Sequence, residues 1–147
     1  MARSILIVDD SEIVRQVVRT FLESKGFSVC GEAADGSQAI EKATELTPDL
    51  ILLDVAMPGM NGVEAASILK AKLPNTPIVL FTMFSDNVGQ SLMEALGVNA
   101  VVGKPDGMSK LLECVNNLLG SQPQGQRNRA DRKAEPGTSG LENRSGG

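Results

Sequence analysis

Five polar side chains in this sequence could do chemistry together: the adjacent carboxylates of Asp9 and Asp10, the carboxylate of Asp54, the hydroxyl of Thr82 and the ammonium of Lys104. Each stands at or just past the end of a short apolar run: SILIV before Asp9, LILL before Asp54, IVLF before Thr82 and AVVG before Lys104. Three carboxylates brought together would repel and partly protonate, so they need a compensating cation, either Lys104 or a hard divalent metal. Mg2+ suits an all-oxygen site that keeps several waters and shares its coordination with a phosphoryl group. An Asp carboxylate can itself attack phosphorus and form an acyl phosphate. That transfer depends on positioning and on neutralising the equatorial oxygens more than on a base, which matters in a chain without a histidine.

The runs that end on these residues read as strands, over Ser4–Val8, Phe27–Glu32, Leu50–Asp54, Ile78–Thr82 and Ala100–Val102. Four of them are continuously apolar, as parallel strands covered on both faces must be. Between them lie helical patterns. Ile13, Val14, Val17, Val18, Phe21 and Leu22 recur at steps of three and four, and Gly26 supplies the stop. Further helices are predicted over Ser37–Leu46, Gly62–Lys72, Asp86–Leu96 and Met108–Leu119, closed by Pro48, Pro74, Gly97 and Gly120. Five such alternations predict right-handed crossovers and an open, doubly wound α/β fold with a five-stranded parallel sheet, helices covering both faces. In that architecture ligands bind beyond the carboxyl ends of the strands, where the five polar residues fall.

Composition narrows the function. Residues 1–120 carry nine Lys and Arg against fifteen Asp and Glu, a net −6, so the part with strand and helix patterning has no electrostatic footprint for nucleic acid. Residues 121–147 carry a net +2 and one Leu without Val or Ile, too little apolar surface to fold. They are expected to be a flexible Gly/Gln/Arg-rich tail or linker behind a domain of residues 1–120. Cys30 and Cys114 stand apart with no zinc-type spacing and read as inert thiols. The first apolar run, five residues before two aspartates, is too short for a signal peptide or a membrane span, which makes the cytoplasm the expected compartment.

With LIVDDS at 6–11, LLDVAMPGMNG at 52–62, LFT at 80–82 and GKP at 103–105, the chain resembles a response-regulator receiver domain, similar to the single-domain chemotaxis regulators, over residues 4–119. The resemblance implies the flavodoxin-like strand order 2-1-3-4-5; the chemotaxis regulator is itself a standard example of that order. It implies Asp54 as phosphoryl acceptor and Asp10 as a direct ligand of Mg2+, with Asp9 as companion acid. The Ala56 backbone carbonyl would be a further ligand, Thr82 the switch hydroxyl and Lys104 the phosphate partner. A cis peptide between Lys104 and Pro105 is implied as well. The phosphoryl donor would be a sensor histidine kinase or a histidine phosphotransfer protein. The output would be a changed affinity for a protein target on the face built from the fourth helix, fifth strand and fifth helix, or for a second copy of the chain, with neither nucleic acid nor membrane involved.

Two departures from the family pattern stand out. Val101 occupies the place of an aromatic whose rotamer usually couples to the threonine, and Met83 and Phe84 follow Thr82 where a small residue is common. Phe84 or Met83 is expected to take part of the coupling role. The apolar Ala56 and Phe84 are expected to slow hydrolysis of the phosphoryl group.

Rival readings account for less. Asp9 and Asp10 alone could be a helix cap, but not in the company of Asp54 and Lys104. A haloacid-dehalogenase-type phosphatase also uses an aspartyl phosphate with Mg2+, yet places its nucleophile in a DxD pattern after the first strand, where this chain has adjacent acids. A flavin site would call for Trp or Tyr, and both are missing. A receiver that works by docking alone, unphosphorylated, is the remaining alternative.

Overall fold

The computed structural model describes residues 2–83 and 88–120. The five strands are β1 (Ser4–Val8), β2 (Ser28–Ala33), β3 (Leu50–Leu53), β4 (Ile78–Thr82) and β5 (Ala100–Gly103). They alternate with the helices α1 (Glu12–Ser24), α2 (Gly36–Leu46), α3 (Gly62–Lys72), α4 (Gln90–Leu96) and α5 (Gly107–Leu119). All strand pairs are parallel and the order is β2-β1-β3-β4-β5, as the resemblance implied.

Alternation along the strands divides the apolar residues between two layers. Ile5, Ile7, Leu50 and Leu52 face Val18 and Leu22 of α1 and Leu111 and Val115 of α5. Leu6, Val8, Ile51 and Leu53 face the small residues Ala39, Ala43, Ala65 and Ala66 of α2 and α3, and Leu69. Every residue of β3 is buried, which is why its sequence shows no polar alternation. The seven-residue α4 contains no buried residue, so it is the least anchored of the five helices.

Element ends differ from the sequence expectation where local hydrogen bonds intervene. Phe27 does not begin β2, because its N–H turns back to the Leu22 carbonyl as part of the α1 stop, where Gly26 takes a φ of +93°. The ladder resumes at Ser28, whose N–H reaches the Arg3 carbonyl. The β1–β2 register then shifts between Ile5 and Leu6, passing over Cys30 and carrying β2 on to Ala33. The expected start of α4 at Asp86, the tail 121–147 and Phe84 lie outside the described residues. Among the described residues no helix is long and apolar enough to cross a membrane.

Candidate functional site at the carboxyl edge of the sheet

Among the described residues the buried polar or charged side chains are Asp9, Asp54 and Thr82, exposed by 3%, 6% and 0%. All three sit at the carboxyl ends of the central strands, where a parallel sheet brings its loops together. Asp9 follows β1, Asp54 follows β3 with its N–H still bonded to the Val8 carbonyl at 3.0 Å, and Thr82 closes β4. The carboxylates of Asp9, Asp10 and Asp54 each offer an oxygen within 4.8 Å of the others, with Asp10 on the exposed side. Lys104, entering from the end of β5, places Nζ 2.6 Å from Asp9 Oδ2 and 3.4 Å from Asp54 Oδ2. The five residues singled out from sequence therefore meet at one place.

The electrostatics are unbalanced in a useful way. Burial pushes the Asp54 carboxyl above its ordinary range; the charge of Lys104 opposes this, the charge of Asp9 adds to it, and a hydrogen bond from Thr82 pulls back down. For Lys104, burial disfavours the ammonium, but the Asp9 hydrogen bond and the charges of Asp54 and Asp9 outweigh it, so its proton is held more tightly than usual. Among the described residues one ammonium faces three carboxylates, and the uncompensated charge, the all-oxygen donor set and the open side at Asp10 fit a hard divalent cation that keeps part of its water. Ala56 lies in the exposed turn two residues past Asp54.

The peptide joining Lys104 to Pro105 is not cis: the described residues contain no cis peptide bond. Lys104–Asp106 instead form a 3-10 turn with Pro105 at its start, and the Gly107 N–H closes it on the Lys104 carbonyl. Trans proline is already set for the first positions of a helical turn, so the lysine reaches the acids without the isomer that the resemblance implied. Val101 packs at the edge of the layer that also holds Val88, Met93 and Leu96. Met83, the candidate lever beside Thr82, is 59% exposed.

Three further residues support the site: Gly62, which the sequence marks as shaping the loop that exposes Asp54, and Ser11 and Arg15, which sequence reasoning does not single out. Ser11 donates its N–H to Asp9 Oδ1 at 2.9 Å, and its hydroxyl caps α1 by accepting from the Val14 N–H. Gly62 lets α3 begin directly against the Asp54 backbone, since a Cβ there would lie 2.0 Å from the Asp54 carbonyl oxygen. Arg15 donates from Nη1 to the Asp9 carbonyl at 2.6 Å. Its trace in the sequence is the pair Arg15 and Arg19, like charges four apart on one helix face that need a shared counter-charge. Glu32 provides it.

Removing the lysine tests the charge balance. Lys104→Met is expected to destabilise the Mg2+-free protein by about 3 kcal/mol, because it leaves buried carboxylates without their cation. Added Mg2+ should restore more stability to the variant than it adds to the wild type, as read from urea unfolding midpoints. Equal gains in both proteins would mean that the ammonium and the metal do not share one task.

The same fold is found in known proteins. The response regulator receiver domain family matches residues 5–116. The chain is 41% identical over 105 residues to a protein-glutamate methylesterase/protein-glutamine glutaminase of Archaeoglobus fulgidus, a match covering 70% of this chain but 30% of that protein. It is 34% identical over 122 residues to the chemotaxis protein CheY of Thermotoga maritima, covering 80% of this chain and 98% of CheY. The crystal structure of response regulator TrrA from Thermotoga maritima in complex with Mg2+–BeF superposes with a TM-score of 0.73 at 30% identity, over 80% of this chain and 99% of TrrA. Sheet order, the acidic cluster with its lysine and threonine, and the span of these matches agree, and the chain belongs to the response regulator receiver domains.

Proposed function

We propose that this receiver accepts a phosphoryl group on Asp54 from a phosphohistidine of a sensor kinase or phosphotransfer protein and thereby changes its affinity for a protein target. The observation that carries the assignment to Asp54 is its burial between Thr82 and Lys104 at the centre of the carboxyl edge, while Asp10 lies on the exposed side. An Asp54 carboxylate oxygen forms the new bond to phosphorus as the donor's N–P bond breaks, and the freed imidazole nitrogen keeps the electron pair and takes a proton. Mg2+, held by Asp10, Asp54 and the Ala56 carbonyl with Asp9 as companion acid, would neutralise the phosphoryl oxygens. Lys104 would shift from Asp9 toward the new dianion, and Thr82 would donate its hydroxyl to it. Two-state repositioning of the α4–β5–α5 face would be the output, with the loosely held α4 as its most movable part.

A protein donor fits better than a small molecule alone. Ile13 and Val17 of α1 are 73% and 54% exposed, and they border a groove of about 200 Å³ that Lys104 and Met108 also line, beside the acids. Apolar residues at the mouth of a charged site offer a seat for the helix that would carry the phosphohistidine. In this reading the chain is a cytoplasmic switch and not an enzyme acting on a metabolite.

The test is intact mass after incubation with acetyl phosphate, with and without Mg2+, followed by peptide mapping of the trapped adduct. One phosphoryl group, dependent on Mg2+ and located at Asp54, is expected. No adduct with this and a second donor would shift the reading to a receiver that works by docking alone, a reading to which Val101 in the aromatic position lends its one support.

A further inference from the structure

Beside the acidic cluster, between α1 and β2, lies a second, partly exposed charged network that the phosphoryl chemistry does not use. The Arg15 guanidinium, with 15% of its side chain exposed, bridges two partners: Nη1 donates to the Asp9 carbonyl at 2.6 Å and Nε to Glu32 Oε1 at 2.9 Å. Arg19, one turn further along α1, donates Nε to Glu32 Oε2 at 2.6 Å. Lys42 of α2 holds the Glu32 carbonyl, so the anchor strand is itself tied from a second helix. Burial works against the Glu32 carboxylate, yet the hydrogen bonds of Arg19 and Arg15 hold it below its ordinary range and keep it charged at neutral pH.

The carbonyl that Arg15 grips belongs to the planar peptide unit joining Asp9 to Asp10. The remaining polar groups of Asp9 are committed too: its N–H to Ala33, Oδ1 to the Ser11 N–H and Oδ2 to Lys104. Asp10 is exposed, and the plane of that peptide fixes where its N and Cα stand, from which its carboxylate reaches the cluster. We infer that Arg15, held by Glu32, is a positioning residue that orients the Asp9–Asp10 pair for the divalent cation. The inference rests on the reading in which Mg2+ is bound at Asp10 and Asp54.

Charge alone predicts the opposite of positioning. An arginine close to three carboxylates repels a metal, so by Coulomb's law its removal should tighten Mg2+ binding, and exchange for lysine should leave it unchanged. If Arg15 orients the acids, both substitutions weaken binding, because lysine keeps the charge but not the fork that spans two acceptors.

The experiment is a calorimetric Mg2+ titration of the full chain and its Arg15→Lys, Arg15→Gln and Arg15→Ala variants, since the chain has no Trp to report binding by fluorescence. Urea melts identify the folded variants, and Val115→Ala, in the core far from the site, serves as a control for lost stability alone. Arg15→Lys is expected to bind Mg2+ about 10-fold more weakly, the usual scale for removing a partner that orients a ligand. Arg15→Ala should be weaker still, and Val115→Ala unchanged. If Arg15→Ala does not fold, Arg15→Gln decides in its place. Unchanged binding in Arg15→Lys, or tighter binding in the neutral variants, overturns the positioning role while leaving the metal site in place. A wild type that binds no Mg2+ overturns both.

Discussion

Replacing Asp54 by Asn is expected to abolish phosphoryl acceptance and, at the same time, to make the Mg2+-free protein more stable. The first effect follows from chemistry, since the amide is not a nucleophile toward phosphorus and no other carboxylate among the described residues is both buried and aligned with Thr82 and Lys104. The second follows from the environment. Burial and the Asp9 charge raise the proton affinity of Asp54 despite Lys104, so its ionised form at neutral pH costs the folded state free energy that an amide would not. A gain of about 1 kcal/mol, the ordinary scale of a single substitution, is expected in chelator-containing buffer. Saturating Mg2+ should reverse the order, because a ligand that binds only the folded state stabilises the wild type in proportion to its affinity. Thermal melts of both proteins with chelator and with Mg2+ test this crossing. A less stable Asn variant in chelator would show that the ion pair with Lys104 outweighs the repulsion.

Gly62→Ala is expected to be the most damaging substitution outside the charged residues. Helix propensity alone argues the other way, since Ala in place of Gly inside a helix is worth about 1 kcal/mol. The added Cβ, however, would lie 2.0 Å from the Asp54 carbonyl oxygen and 2.7 Å from the Val55 Cα. Both are backbone atoms with no rotamer to change, and the Gly62 N–H is bonded to the Val55 carbonyl at 2.8 Å, which ties the clashing partners together. Overpacking against such a site costs about 3 kcal/mol, more than the propensity gain. The strain also falls on the peptide that carries Asp54. Displacing a reacting group by about 1 Å can cost on the order of 100-fold in rate, so phosphorylation by acetyl phosphate should fall by about that factor even where the variant folds. Gly59→Ala is the contrasting control: φ is +71° but the space is open, so about 1 kcal/mol of backbone cost and near-normal phosphorylation are expected. Similar losses in the two variants would mean that loop conformation, and not the close approach of α3 to Asp54, governs the site.

The lengths of the relatives bound how far function carries over. The chain spans 30% of the length of the Archaeoglobus fulgidus methylesterase but 98% of CheY from Thermotoga maritima, and what it shares with relatives of both lengths is the receiver domain matched over residues 5–116. In the reading proposed above, what the phosphoryl group controls would be set by surface residues on α4, β5 and α5.

Much of this site is legible along the chain because the determinants are local. The two-residue period of a strand and the three-to-four-residue period of a helix place each element. The carboxyl end of a buried parallel strand is where a polar residue can first appear, and Asp9, Asp54, Thr82 and Lys104 stand out in the sequence for that reason. Tertiary packing alone decided the rest. Lys104 and Asp9 are 95 residues apart, and that the ammonium rests closer to Asp9 than to Asp54 depends on how β5 sits against β4 and β1 against β3. The trans peptide before Pro105 depends on the turn that follows it. The value of Gly62 depends on the Asp54 carbonyl lying against it, and that of Arg15 on Glu32 and Asp9 arriving on its two sides. Periodicity reports which face of an element is buried; it carries no information about which atom of a distant element arrives there, and at this site that atom decides whether a side chain is ornament or support.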